Sequence, residues 1–194
     1  MKRVLAWGAL ALAVTVPVVA AAGSPLLQWR DATYIAAGFA GVAAFALLLA
    51  QPLLADAAMP GLAPRRARLW HRWVGSVVVL LVALHVAGLW LTSPPDVIDV
   101  LLFRSPTPFS VWGALAMWGV FLTALAAPWR ARLGPRLWRV AHGLLAAVVV
   151  AGTVVHALLI EGTMGMVSKW LLALLVAAAS AKALLDLARR TRRS

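Results

Sequence analysis

Four histidines, His71, His85, His142 and His156, are the residues of this sequence best suited to chemistry. They fall into two pairs with the same spacing, 14 residues from 71 to 85 and 14 from 142 to 156. Fourteen residues at about 100° each complete nearly four turns of an α-helix and rise about 21 Å, so both members of a pair face nearly the same way at two heights. Each pair sits in a long apolar stretch. One further span separates the two stretches, so they run in the same direction, and His71 faces His142 while His85 faces His156. Two neutral imidazoles opposed across a helical bundle can supply both axial ligands of a haem iron. The spacing therefore predicts two haems, one near each side of a membrane, with His71 and His142 holding the inner iron and His85 and His156 the outer one.

Other uses of histidine explain the pattern less well. An intramembrane histidine standing alone commonly serves a hydrogen bond between helices, but four on two helices in register go beyond that. A proton relay would interleave carboxylates along its path, and no Asp or Glu falls in the middle of these two stretches. A zinc ion needs about four ligands around it, whereas the two pairs are about 21 Å apart. The chain contains no cysteine. That excludes disulfides, thiolate metal sites, iron–sulfur clusters and covalently attached c-type haem, so any haem is a non-covalent b-type group.

Haem propionates call for cations at the membrane edge. Arg68, Arg72, Arg136 and Arg139 stand within a turn or two of His71 and His142 and are candidates for the inner haem. Arg104, the only basic residue of the long outer loop, is the candidate for the outer one. Signalling of topology is the alternative role of all five. Trp70, Trp73, Trp90, Trp112, Trp129, Trp138 and Trp170 lie near span ends, where tryptophan anchors helices at the interface; Trp73 and Trp138 are also placed to pack on a haem edge. Gly75, Gly88, Gly143 and Gly152 each fall within four residues of a histidine, where they either leave room for a flat macrocycle or let helices pack closely.

The elements that must position these residues are transmembrane helices. The chain of 194 residues is 63% hydrophobic with a mean hydropathy of +0.91, against about 45–50% apolar content in a soluble domain. A spanning helix takes about 20 mainly apolar residues, and Pro, Gly and charge clusters divide the sequence into six such stretches, at 4–22, 32–54, 69–91, 109–127, 138–160 and 166–187. The expected fold is thus an all-α integral membrane bundle of six helices forming one transmembrane haem-binding domain over 1–194. The net charge of +12 is distributed unevenly among its 18 Lys and Arg. Alternate ends carry Lys2, Arg3, Arg65, Arg66, Arg68, Arg72, Arg130, Arg132, Arg136, Arg139, Lys182, Arg189, Arg190, Arg192 and Arg193, and the opposite ends only Arg30, Arg104 and Lys169. This is the positive-inside pattern, with both termini and the second and fourth connections cytoplasmic. The basic balance reports topology in the plasma (inner) membrane and not a nucleic-acid surface.

Residues 1–23 also carry the marks of a secretory signal, with Lys2 and Arg3 before an apolar run and small residues Ala20-Ala21-Ala22 at its end; the run is long enough to span, and either outcome leaves the other five helices in the same orientation. Between Thr92 and Ser110, the apolar residues Val97, Ile98, Val100, Leu101, Leu102 and Phe103 are interrupted by Asp96 and Asp99, a pattern for a short amphipathic lid or a loop dipping into the headgroups.

The run Leu69-Trp70-His71-Arg72-Trp73-Val74-Gly75 with His85, and Leu133-Gly134-Pro135-Arg136-Leu137-Trp138-Arg139-Val140-Ala141-His142 with His156, resembles the ferric reductase-like transmembrane domain. That family includes ferric reductases, the membrane half of NADPH oxidases and the haem subunit of the periplasmic methionine sulfoxide reductase system. Over about residues 32–187 the resemblance implies six helices, two haems on the four histidines, and electrons entering on the cytoplasmic side and leaving outside. The reductases and oxidases continue into a flavin and nicotinamide domain, whereas here there is no G-x-G-x-x-G or P-loop, so the expected donor is a separate flavoprotein or a quinol. The expected function is transmembrane electron transfer as an oxidoreductase component. The alternatives are a haem subunit dedicated to one periplasmic reductase and, from another class, a histidine-dependent transporter or channel.

Overall fold

Proline stands at the start of four helices of this chain. In the computed structural model, which describes residues 1–192, Pro64, Pro94, Pro108 and Pro135 each stand at the first turn of a helix, where the fixed φ suits the helix and the missing N–H has no intrahelical partner to lose. The helices are α1 (Lys2–Ala22), α2 (Ala32–Leu48), α3 (Ala50–Ala55), α4 (Pro64–Thr92), α5 (Pro94–Leu101), α6 (Pro108–Ala126), α7 (Arg130–Leu133), α8 (Pro135–Leu159) and α9 (Met166–Arg192). The described residues contain no strand. Arg193, one of the basic residues counted above, lies outside the described residues.

Six stretches are long and apolar enough to cross a membrane, at Lys2–Ala22, Ala32–Ala55, Pro64–Thr92, Pro108–Leu133, Pro135–Leu159 and Met166–Arg190. These are the six expected from the apolar runs. The helices run further than hydropathy alone suggests on the basic side, because α4 continues through Arg65–Arg68 to its proline and α9 through Arg189 and Arg190. The second span is α2 and α3 end to end, and the fourth is α6 followed by a 3-10 turn at Ala127–Trp129 and α7. At the start of α2, Asp31 Oδ1 accepts from the backbone N–H of Thr33 at 2.7 Å and of Tyr34 at 3.4 Å. The Thr33 bond, foremost, holds the Asp31 carboxyl below the usual carboxylate range, so this cap is intact at neutral pH and weakens only as acid protonates it. The segment expected as a lid or a loop is a helix, α5, with Val97 buried and Ile98 exposed.

Two antiparallel helix pairs dominate the packing, α2 on α4 and α6 on α8. Small residues permit both. A Cβ added at Gly88 of α4 would stand 2.7 Å from the Ala37 Cβ of α2, and one at Gly152 of α8 would stand 2.8 Å from the Trp112 carbonyl of α6. The helix α9 lies along α8 and also reaches α1 and α3. Phe45, Leu48, Leu49, Val120, Val149, Leu172 and Val176 fill the core where α2, α6, α8 and α9 converge. Outside it, Leu84, Leu122, Leu144 and Leu174 are each at least half exposed, a continuous apolar surface that hydrocarbon, and not water, would cover.

One end of the bundle gathers the N-terminus, the second connection and the end of α9. Trp7 Nε1 donates to the Pro60 carbonyl at 3.3 Å, the Arg3 side chain lies against Gly61, and Asp56 accepts from Lys182 Nζ at 2.9 Å and Arg190 NH2 at 2.6 Å. Asp56 is only 12% exposed, and its two cations stand about two turns apart on α9. Replacing it leaves both without that partner. Asp56→Ala is expected to lower the unfolding temperature of the purified protein by about 2–4 °C, and Lys182→Ala by less because Arg190 still holds the carboxylate; thermal unfolding in detergent measures both.

Candidate functional site

Imidazole buried in hydrocarbon must place its N–H on an acceptor, and in this bundle the acceptors are backbone carbonyls of the neighbouring helix. His85 Nδ1 donates to the Ala37 carbonyl of α2 at 2.8 Å, His71 Nδ1 to the Gln51 carbonyl of α3 at 3.1 Å, and His156 Nδ1 to the Phe109 carbonyl of α6 at 2.9 Å. A carbonyl oxygen only accepts, so the proton of each neutral ring sits on Nδ1 and the lone pair on Nε2. A backbone acceptor on Nδ1 is the arrangement that orients a metal-binding histidine. Register explains the first two bonds. From His85 to His71 is fourteen residues back along α4, and from Ala37 to Gln51 is fourteen residues forward along the antiparallel second span.

Two glycines let the His85 and His156 rings approach the backbone. A Cβ at Gly41 would stand 2.9 Å from His85 Nδ1, and one at Gly113 would stand 2.7 Å from His156 Nδ1. Each glycine follows the accepting residue by four, Ala37 then Gly41 and Phe109 then Gly113, so carbonyl and glycine lie on one helix face. Phe109 contributes its ring as well, with its centroid 5.8 Å from that of His156.

His142 is held differently. Its Nδ1 is buried and has no hydrogen-bond partner, and the ring stacks on Trp138 one turn earlier, at 5.1 Å between centroids and 25° between planes. Across the bundle it meets His71 edge on, at 6.0 Å between centroids and 75° between planes. Imidazole nitrogens bind metals at about 2 Å, which sets two opposed rings sharing one ion about 6 Å apart. Two observations fit haem-holding histidines, the Nδ1 tautomer imposed on His71, His85 and His156 and the separation of His71 and His142. The structure brings those two rings into contact.

The cations are sorted by the helix faces that carry them. Arg68 is three residues before His71, and Arg139 three before His142, which puts each about 60° around the helix from its histidine. Arg139 is half-buried, whereas Arg68, Arg72 and Arg104 are exposed. Arg136 is about 120° away from His142 and opens onto a groove lined by Leu133, Gly134, Pro135, Leu137 and Val140. Trp138 is against a histidine, but Trp73 is 67% exposed on the bundle surface. The four glycines near the histidines in sequence lie against neighbouring parts of the bundle. Gly88 meets Ala37, Gly152 meets α6, Gly143 meets Leu187 of α9, and Gly75 faces the Gln51 side chain. Sequence reading passed over Gly41, Gly113 and the three carbonyls, because a carbonyl carries no side-chain signature and these are two of 14 glycines.

The model of the family described as ferric reductase like transmembrane component matches residues 37–153. The match begins at the Ala37 acceptor, contains His71, His85 and His142, and ends short of His156. No curated protein and no solved structure matches the chain significantly.

A methyl group forced against the His85 or His156 ring must move it or break its bond to the carbonyl. Gly41→Ala and Gly113→Ala are each expected to destabilise the protein by about 1–3 kcal/mol, the range for overpacking a filled site. Gly8→Ala, with nothing within 4 Å of the added Cβ, is expected to leave thermal unfolding unchanged or slightly improved.

Proposed function

The chain belongs to the ferric reductase-like transmembrane component family, whose multi-pass membrane domains transfer electrons, and from that premise we propose that it conducts electrons across the bilayer through two b-type haems held one above the other. In this reading His71 and His142 would hold the haem near the arginine-rich face, and His85 and His156 the one near the opposite face. The observation that carries it is the set of three Nδ1–carbonyl hydrogen bonds, which turn lone pairs outward at two depths on two co-directional helices. Bound haem iron supplies one-electron chemistry between its ferric and ferrous states.

The chain's own residues supply placement. Ala37, Gln51 and Phe109 fix three ring tautomers and orientations through their carbonyls, and Trp138 fixes the fourth ring by stacking. Donation to a carbonyl raises the basicity of the opposite nitrogen and so its strength as a ligand. Arg68, Arg72 and Arg139 are the propionate partners at the arginine-rich face and Arg104 at the other. His71, His85, His142 and His156 would hold the two haems, which would supply one-electron chemistry to an acceptor. The six spans act as one transmembrane haem-binding domain in the plasma (inner) membrane, with both termini cytoplasmic as the charge pattern supports. A cytoplasmic flavoprotein or quinol is the donor and an extracytoplasmic acceptor, such as a periplasmic reductase, the recipient.

Reduced-minus-oxidised absorption of the purified protein, with pyridine haemochrome quantitation per polypeptide, tests this reading. Two haems per chain are expected, and His85→Ala should remove about half of the haem while the remainder keeps a low-spin α-band. Protein with no redox-sensitive Soret band, or an unchanged haem count in His85→Ala, overturns it.

A further inference from the structure

The arginine-rich face of this bundle carries far more positive charge than its own carboxylates can balance. The chain has six Asp and Glu. Asp31, Asp96, Asp99 and Glu161 lie at the opposite ends of the spans. The two on the arginine-rich face, Asp56 and Asp186, are already engaged by Lys182, Arg189 and Arg190. Among the described residues, no ion pair reaches Arg130, Arg132 or Arg136. Nor can a nearby stretch of chain supply one, since no acidic residue occurs between Asp99 and Glu161.

Beside these arginines the chain forms a seat of the opposite character. At Gly134, whose φ of +76° only glycine adopts readily, α7 stops and α8 starts in a new direction. The step opens a groove of about 490 Å³ lined by Leu133, Gly134, Pro135, Leu137 and Val140, with Arg136 the one charged residue on its wall. The groove faces away from His142 and so toward the outside of the bundle. Trp129, half exposed on the turn leading into α7, carries the Arg132 guanidinium 4.5 Å above its ring, which places an aromatic anchor and a cation at headgroup depth.

We propose that this groove binds one anionic glycerophospholipid, its phosphate paired with Arg136 and Arg132 and one acyl chain laid along Leu133, Leu137 and Val140. Charge selects the occupant: an apolar wall alone would accept any lipid chain, whereas arginines without protein counter-ions select a negative headgroup. A guanidinium presents two parallel N–H donors to phosphate oxygens, a match that a zwitterionic headgroup satisfies at the cost of bringing its own cation near the arginines. The site lies on the far side of α8 from the histidines, so its test stands apart from the haem reading.

Native mass spectrometry of the purified, delipidated full chain offered phosphatidylglycerol or phosphatidylcholine tests it. The wild-type protein is expected to retain one phosphatidylglycerol in preference to phosphatidylcholine. The Arg132→Gln/Arg136→Gln pair should weaken that retention about tenfold or more, from the loss of two cations near the surface. Leu137→Trp, which fills the groove and keeps both charges, should weaken it too, with haem content and unfolding temperature reporting that each variant is folded. Arg65→Gln/Arg66→Gln removes as much charge from the same face and should retain the lipid. Equal retention of phosphatidylcholine, loss in the Arg65/Arg66 control as large as in the Arg132/Arg136 pair, or displacement by millimolar inorganic phosphate would each overturn the proposal, the last by reducing the site to a simple anion site.

Discussion

Hydrocarbon offers no hydrogen bonds, and that constraint organises the interior of this protein. Every buried N–H must find an acceptor inside the bundle, and helix carbonyls already accept from the N–H four residues on. Their second lone pair remains available, and three of the four histidines use it. The bond does two things at once. It satisfies a polar group that would otherwise oppose burial, and it dictates which nitrogen is left bare. In water the same ring would rotate and exchange tautomers freely; here packing and hydrogen bonding choose one orientation. Gly41 and Gly113 matter because this choice requires the ring to come within van der Waals contact of backbone, closer than a methyl group allows.

Much of the architecture was legible in the sequence because the bilayer imposes one length and one polarity on each span. Six apolar stretches with prolines at their borders gave six helices, and the equal spacing in the two histidine pairs gave two levels. The spacing could not say what each ring touches on its far side. Those partners are main-chain atoms, set by the relative height of α2 and α4 and of α6 and α8, which is a property of packing and not of any side chain. The same limit applies to the arginines. Arg136 and Arg139 look equivalent in sequence, being six and three residues before His142, yet the helical turn leaves Arg136 exposed on a surface groove and Arg139 half-buried. The glycines show the converse. Gly88 and Gly152 were noticed because they are near histidines in the chain, but they face neighbouring helices, while the two glycines that touch the rings come from other spans altogether.

The second helix pair departs from the first at one level. In α2–α3 and α4 the register supplies an acceptor to both histidines, fourteen residues apart on each side. The same register in α6 and α8 pairs Phe109 with His156 and brings Thr123 opposite His142. There His142 Nδ1 makes no hydrogen bond among the described residues, and the ring rests on Trp138 instead. A stacked ring is oriented less tightly than a hydrogen-bonded one, since stacking resists tilt but permits sliding in the plane. The two levels are therefore built to different tolerances, and the looser one lies at the arginine-rich end.

All three histidine hydrogen bonds close within a helix pair, two inside α2–α3/α4 and one inside α6/α8. None crosses the seam between α4 and α8, where the opposed rings meet. The molecule is in this respect a book whose covers are each stitched separately, with α9 as the spine joined to α8 by packing and to α3 through Asp56. Each cover thus aims its own rings, and the orientation of a ring in one does not depend on the placement of the other.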